Sequence, residues 1–396
     1  MNTKKHVAIL GTRGVPACHG GFETFAERFA LYLVEHGWDV TVYCQKEGSS
    51  GIEERKWCGV NLIDVYVSGD TPFHTISYDY KCVKHATKQD FFILNLGYNT
   101  GFLNAFFRLS GHHTSINMDG LEWKRDKWPW PVKIWFYLNE ILACKLGNDL
   151  IADHPEIARH LATRVSKSKI TTIAYGADDI GGNNLLDADN AFIETLNLEP
   201  NSYFVVIARP VSENSIYEIV AAFSKEKRGK KLVVLGVFDF DNSPYHNKIR
   251  AIASDEVIFP GAIYEQGNVA ALRYHSIGYI HGHRVGGTNP SLVESLGTGS
   301  AVIAHDNAFN RWVTNDEMLY FSTIDECSNK IQELIDNKPL REELRVVSKE
   351  RFKSEFTWDK VLSEYLSHFQ ALLVPHAENL PVVNEQDSLP NVNAES

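Results

Sequence analysis

The sequence predicts an α/β protein made of two doubly wound parallel-sheet halves that face a central cleft. Its 396 residues exceed what one hydrophobic core serves well and suit two domains. Short apolar runs alternate with helix-period segments along the chain, which is the pattern of parallel βαβ units. Between two such series lies Asp178-Asp179-Ile180-Gly181-Gly182-Asn183-Asn184, rich in turn formers and without period. These observations predict an N-terminal domain over 1–180 and a C-terminal domain over 181–353. A helical segment over 354–373 is expected to pack back on the N-terminal domain, and 374–396 is expected to be a disordered tail.

The first unit opens with the strand His6-Val7-Ala8-Ile9-Leu10, followed by the loop Gly11 to Glu23. A helix follows, with Phe22, Phe25, Ala26, Phe29 and Leu33 on one stripe and Gly37 at its end. Further strands are expected at 39–44, 91–94, 114–117, 149–152 and 170–173. The second series has strands at 203–207, 231–235, 257–259, 277–280 and 300–304. The last stripe carries Leu362, Tyr365, Leu366, Phe369 and Leu373.

A formal net charge of −11 argues against a general nucleic-acid binder, which needs a basic surface. The six cysteines are scattered without metal-ligand spacing and read as reduced thiols of a cytoplasmic protein. The N-terminus passes straight into a short strand, so no secretory signal is expected. No apolar segment approaches the roughly 20 residues that cross a bilayer, which leaves peripheral contact as the expected membrane mode.

The opening loop lacks the spacing of a P-loop, and no lysine occurs between Lys5 and Lys46. It also lacks Gly-x-Gly-x-x-Gly, and the second strand ends without a carboxylate for a ribose. What is left is a flexible backbone at Gly20 and Gly21 ahead of a helix N-terminus, or a turn that only needs glycines. In the second half, Arg209 emerges at the end of the first strand, placed to grip a phosphate or to pair with Glu213. The stretch Gly286-Gly287-Thr288-Asn289-Pro290 reads as a loop and a helix start, with Asn289 as N-cap. Glu294, one turn inside, is placed to accept hydrogen bonds from a ribose, and its neighbours Leu292, Val293 and Leu296 predict that it is buried. His281 and His283 have metal-like spacing without partners nearby, so no metal is expected.

Over about residues 5 to 372 the chain resembles retaining GT-B glycosyltransferases of family 4, and within them the bacterial rhamnosyltransferase-like branch of surface polysaccharide synthesis. The resemblance rests on Gly11-Thr12-Arg13-Gly14-Val15-Pro16 with Gly20-Gly21-Phe22-Glu23, on Asn117-Met118-Asp119-Gly120-Leu121-Glu122-Trp123-Lys124-Arg125, on Ala174-Tyr175-Gly176-Ala177-Asp178, and on Gly286 to Glu294. It implies two Rossmann-like domains, the C-terminal one holding a nucleoside diphosphate sugar and the N-terminal one the acceptor. Arg209 matches the family's diphosphate-binding arginine, while Asn214 stands where a lysine is usual. Glu294 matches the second member of the family's Glu-x7-Glu pair, and Gly286 replaces the first. Gly20, Gly21, Gly286, Gly287, Thr288, Asn289 and Tyr264 are also assigned to the donor. Arg13, His19, Trp123, Lys124 and Arg125 are assigned to the acceptor.

Asp119 sits at a strand end where many relatives carry histidine, as a base or hydrogen-bond acceptor, or else as a cap for the segment beginning at Gly120. The expected reaction is retaining transfer of a sugar, best L-rhamnose from dTDP-L-rhamnose, to a lipid-linked oligosaccharide of O-antigen or capsule. Arg209 and the Pro290 helix would stabilise the departing diphosphate, with no cofactor beyond the nucleotide-sugar. A non-hydrolysing sugar-nucleotide epimerase and a non-catalytic donor-binding member of an assembly complex are the alternatives. Trp123, Trp128, Trp130 and Trp135, mixed with Lys124, Arg125, Lys127 and Lys133, suit either a membrane headgroup region or the acceptor groove and core. The former implies peripheral attachment to the inner face of the cytoplasmic membrane.

Overall fold

Strands β1 (His6–Leu10), β2 (Asp39–Glu47), β3 (Ile52–Trp57), β4 (Val60–Val67), β5 (Phe92–Leu96), β6 (Thr114–Asn117), β7 (Asp149–Ala152) and β8 (Ile170–Thr172) form the first sheet. Its order is β3-β4-β2-β1-β5-β6-β7-β8, parallel except for the β3–β4 hairpin at one edge. The second sheet comprises β9 (Tyr203–Ile207), β10 (Lys231–Leu235), β11 (Val257–Gly261), β12 (Gly278–His281), β13 (Val302–His305) and β14 (Leu319–Phe321). Its order is β11-β10-β9-β12-β13-β14, with parallel pairing throughout. The computed structural model describes residues 5–17, 20–49, 51–69, 71–181 and 185–373. The expected tail 374–396 and His19 lie outside the described residues.

Both sheets are doubly wound: strand order reverses between β1 and β5 in the first and between β9 and β12 in the second. Ligands of such sheets sit beyond the carboxyl ends of the strands at these reversals. The central strands are continuous apolar runs because helices cover both faces, and Tyr203 to Val206 and Leu232 to Leu235 are almost fully buried. In the first half, Phe25, Phe29 and Leu33 of the helix Gly21–Glu35 bury against Val7, Ile9, Val40 and Val42. Each such side chain contributes about 1.5–3 kcal/mol by leaving water.

Three strands fall outside the sequence expectation. β3 has none assigned because Ile-Glu-Glu-Arg-Lys-Trp is charged and largely exposed, so no apolar run marks it, whereas β4, Val-Asn-Leu-Ile-Asp-Val-Tyr-Val, is a largely buried run that the expectation passes over. β14 is only three residues long.

The chain crosses between the sheets twice, side by side. Ala177 N–H donates to the Phe356 carbonyl at 2.9 Å, and a Cβ on Gly176 would lie 2.6 Å from the Trp358 ring. The closing helix Trp358–Leu373 then joins the first core through Val361, Leu362, Tyr365 and Phe369. Asn117 Nδ2 donates to the Tyr365 hydroxyl at 2.8 Å, tying this helix to the end of β6.

Candidate active site

The strand ends of the two sheets enclose two chambers, of about 460 Å³ and about 470 Å³. They meet at Gly21, Tyr175, Arg209 and Pro290.

The first chamber belongs mainly to the second half. Arg209 leaves the end of β9 exposed, and its guanidinium carries no ion pair among the described residues. The pairing with Glu213 does not form, since Glu213 Oε1 faces Arg125 at 3.5 Å. Asn214 does not reach the chamber: it is buried, and its Nδ2 donates to the Arg209 carbonyl at 2.8 Å. It holds the arginine's backbone and leaves ligand contact to the arginine.

The helix Pro290–Gly297 starts as expected, with Asn289 accepting the Ser291 amide at 3.0 Å. Glu294 differs from expectation, being 44% exposed. Leu292, Val293 and Leu296 turn to the core, and Glu294 points to the opposite, cleft-facing side of the same helix. One of its oxygens is held at 2.7 Å by Arg273, a buried cation that sequence reading missed. Tyr264 lines the chamber from an exposed position. His283 also lines it, stacked on His281 with ring centroids 4.4 Å apart. Burial keeps both imidazoles neutral, lowering His283 to about 3, with Arg125 and Arg209 adding to the effect. No third His, Cys, Asp or Glu completes a metal cluster with them among the described residues.

The second chamber belongs mainly to the first half. Asp119 lines it with a left-handed backbone, φ 51°. It is not a helix cap, because the short turn Glu122–Lys124 begins at Leu121 with no side-chain cap. Burial pushes its carboxyl up to about 6, and Glu122 adds to the shift. Asp153, at the end of the adjacent strand β7, lines the same chamber. Its carboxyl is pushed up to about 8, first by burial and then by the negative charge of Asp119. One Asp153 oxygen accepts the Thr288 amide at 3.0 Å, and the other is buried without a partner.

The sequence contained a signal for this second carboxyl. Asn117 and Ile151 are paired across β6 and β7, and each is followed two residues later by an aspartate.

The Gly286-Gly287 loop does not line the first chamber. A Cβ on Gly287 would lie 2.2 Å from the Asp153 carboxylate, and the Thr288 hydroxyl donates to the Asp153 carbonyl. Gly287 therefore lets the second half close against the first, and Thr288 lines the second chamber while Asn289 lines the first.

Gly20 and Gly21 do line the first chamber, at the start of a helix without a side-chain cap. A Cβ on Gly21 would lie 3.5 Å from Tyr175 and 3.6 Å from Pro290. Arg13 is placed elsewhere, in a separate polar cavity of about 290 Å³ with Asp79 and Thr100. Asn99 lines both that cavity and the second chamber.

The tryptophan segment is divided. Trp123 does not reach the chambers, because its indole donates to buried Glu140 at 2.8 Å, with Lys124 stacked over its ring. Arg125 and Trp128 line the second chamber, both bonded to Glu122. Trp130 and Trp135 are exposed.

A family model described as a domain of unknown function, DUF1972, matches residues 4–178. No curated protein sequence matches the chain. Among solved structures, the chain is similar to sucrose-phosphate synthase from Thermosynechococcus elongatus, with 17% identity and a TM-score of 0.76 over 93% of this chain and 99% of that one. It is also similar to Anabaena HepE, solved with UDP, at 12% identity and a TM-score of 0.72 over 93% of this chain and all of that one. A glycosyltransferase from Rickettsia africae aligns at 16% identity and a TM-score of 0.68 over 93% and 99% of the two chains. These likenesses establish the GT-B fold of two parallel-sheet halves around a cleft.

Proposed function

We propose that the chain is a glycosyltransferase that moves a sugar from a nucleoside diphosphate to a hydroxyl of a lipid-linked oligosaccharide, best L-rhamnose from dTDP-L-rhamnose. The observation that carries this reading is the meeting of two unlike chambers at Arg209. On one side Arg209 and the start of the Pro290–Gly297 helix suit a diphosphate, and the free side of Glu294 suits a ribose. On the other side Asp119 and Asp153 suit sugar hydroxyls. Anabaena HepE, a protein of the same fold solved with UDP and with UDP and glucose, supports a nucleotide-sugar in the cleft.

In the proposed step the bond from the sugar to the phosphate oxygen breaks, and a bond to the acceptor oxygen forms on the same face. The leaving phosphate takes the acceptor's proton, and Arg209 stabilises the charge that develops on it. Asp119, ionised at neutral pH, accepts a hydrogen bond from a hydroxyl of the donor sugar, and Asp153, still protonated, donates one to the sugar. Retention and the absence of a metal from this step are parts of the proposal.

One observation favours a second reading. A sugar-nucleotide epimerase needs more than one acid or base around the sugar, and Asp153 supplies the second carboxyl. Incubating the protein with dTDP-, UDP- and GDP-sugars, with and without a lipid-linked acceptor, separates the readings. Transfer supports the proposal, an epimerised donor without acceptor supports the second reading, and nucleotide binding without turnover removes both.

A further inference from the structure

The helix Trp130–Leu146 has two unlike sides. Phe136 lines the second chamber, while Asn139, Glu140, Ala143 and Cys144 are buried. On the outer side Trp130, Ile134, Leu138 and Leu142 recur every four residues and are all exposed, Trp130 to 73%. Such a stripe is what a helix normally turns toward a core.

Two neighbouring helices extend it. Asn104–Leu109 packs on the Trp130 helix and exposes Phe106 and, to 86%, Leu109. Pro72–Ala86 exposes Tyr80 and, to 81%, Phe73, and the Tyr80 ring meets Phe106 edge-on at 6.1 Å. Three adjacent helices thus present one apolar face of the kind that marks an interaction site. Its border is basic in a chain of net charge −11: Lys84, Lys88, Arg108, Lys124 and Lys145 are exposed there, against Asp90 and Asp126.

We propose that this three-helix face lies on an anionic lipid bilayer, with the apolar stripe at the headgroup and acyl boundary and the cations on the headgroups. None of the helices among the described residues is long and apolar enough to cross a membrane, so the face lies on the bilayer. A second copy fits less well, because two-fold pairing through this face would set the same cations against one another. The face and the second chamber are opposite sides of one helix, and the exposed Trp135 indole donates to the carbonyl of Asn99, which lines that chamber. A lipid-anchored acceptor therefore has only about one helix diameter, roughly 10 Å, to cover between bilayer and cleft. This last point rests on the transferase reading; the docking face does not.

Flotation of the full chain with vesicles tests the proposal. Binding is expected to phosphatidylglycerol–phosphatidylethanolamine vesicles and to be weak to phosphatidylcholine alone. The pair Ile134→Glu and Leu138→Glu should weaken binding about tenfold or more by placing charge in the apolar boundary. Arg108→Glu with Lys145→Glu should also weaken it about tenfold, as should raised salt. All four positions are exposed, so thermal unfolding should confirm an unchanged fold. Absence of flotation with anionic vesicles, or flotation indifferent to both pairs, overturns the proposal. A wild-type dimer in sedimentation that the Ile134 and Leu138 pair dissociates assigns the face to a second copy and also overturns it. If flotation behaves as expected while no nucleotide stabilises the chain, the transferase reading fails and the docking face stands.

Discussion

The two chambers share Gly21, Tyr175, Arg209 and Pro290, yet they hold their polar groups in opposite ways. In the first, Asn289 caps the helix, Arg273 fixes one Glu294 oxygen, and burial keeps His283 neutral. Its helix start and its carboxylate are fixed before any ligand arrives, while the Arg209 guanidinium and His283 Nδ1 are left unpartnered among the described residues, which suits binding. In the second, burial and repulsion hold Asp119 and Asp153 above the usual carboxylate range, and one Asp153 oxygen has no partner. Groups in that state suit proton and hydrogen-bond exchange with a substrate. The two walls of one GT-B cleft therefore differ in what each does to its charges.

Substitutions on the two walls should separate in the same way. Asp119→Asn should have the largest effect, a fall of about 10²–10³-fold in kcat with nucleotide affinity unchanged by calorimetry, the worth of one electrostatic contact to the transition state. A loss of affinity instead would move Asp119 to the binding wall. Arg209→Ala should weaken nucleoside diphosphate binding about 10–150-fold, the worth of a charge-assisted hydrogen bond; unchanged affinity would remove the phosphate assignment.

The pH dependence sharpens the contrast. The rate should rise with pH through about 6 as Asp119 ionises and fall through about 8 as Asp153 loses its proton. Asp153→Asn should abolish the upper limb only. Stability has its own sign. Asp153 binds its proton more tightly folded than unfolded, so stability falls as pH rises from about 4, the unfolded value, to about 8. Asp153→Asn should flatten that decline in melting curves recorded against pH. The smallest effect belongs to a tie on the edge of the second chamber: Tyr365→Phe should cost about 1 kcal/mol in urea unfolding, by removing the hydrogen bond from Asn117.

Much of the fold was legible because buried parallel strands are apolar runs, as in Tyr203 to Ile207. The edge strand β3 was not, because an edge strand has no need of such a run, and four residues of Ile-Glu-Glu-Arg-Lys-Trp are charged; its inner neighbour β4 does carry such a run and was passed over. At the site, Arg209, Glu294 and Asp119 could be found from their places at strand ends and helix starts. Asn214, Trp123 and Lys124 looked equally available, but sequence does not show that Arg209, Glu140 and the Trp123 ring already occupy them. Asp153 was hidden because Asp-His-Pro reads as a helix start, and His154 does accept the Glu156 amide there. Arg273 comes from a separate helix, Gln266–His275, and only folding brings it to Glu294.

The double crossing at Ala177 and Phe356 has a mechanical consequence. Two tethers lying side by side resist twist and shear better than one, so the softest motion left to the halves is rotation about the line of the crossing. Because the second tether returns the chain to the half where it began, residues 5 and 373 both belong to that half. The other half is thus an insertion into the first, entered and left at one place.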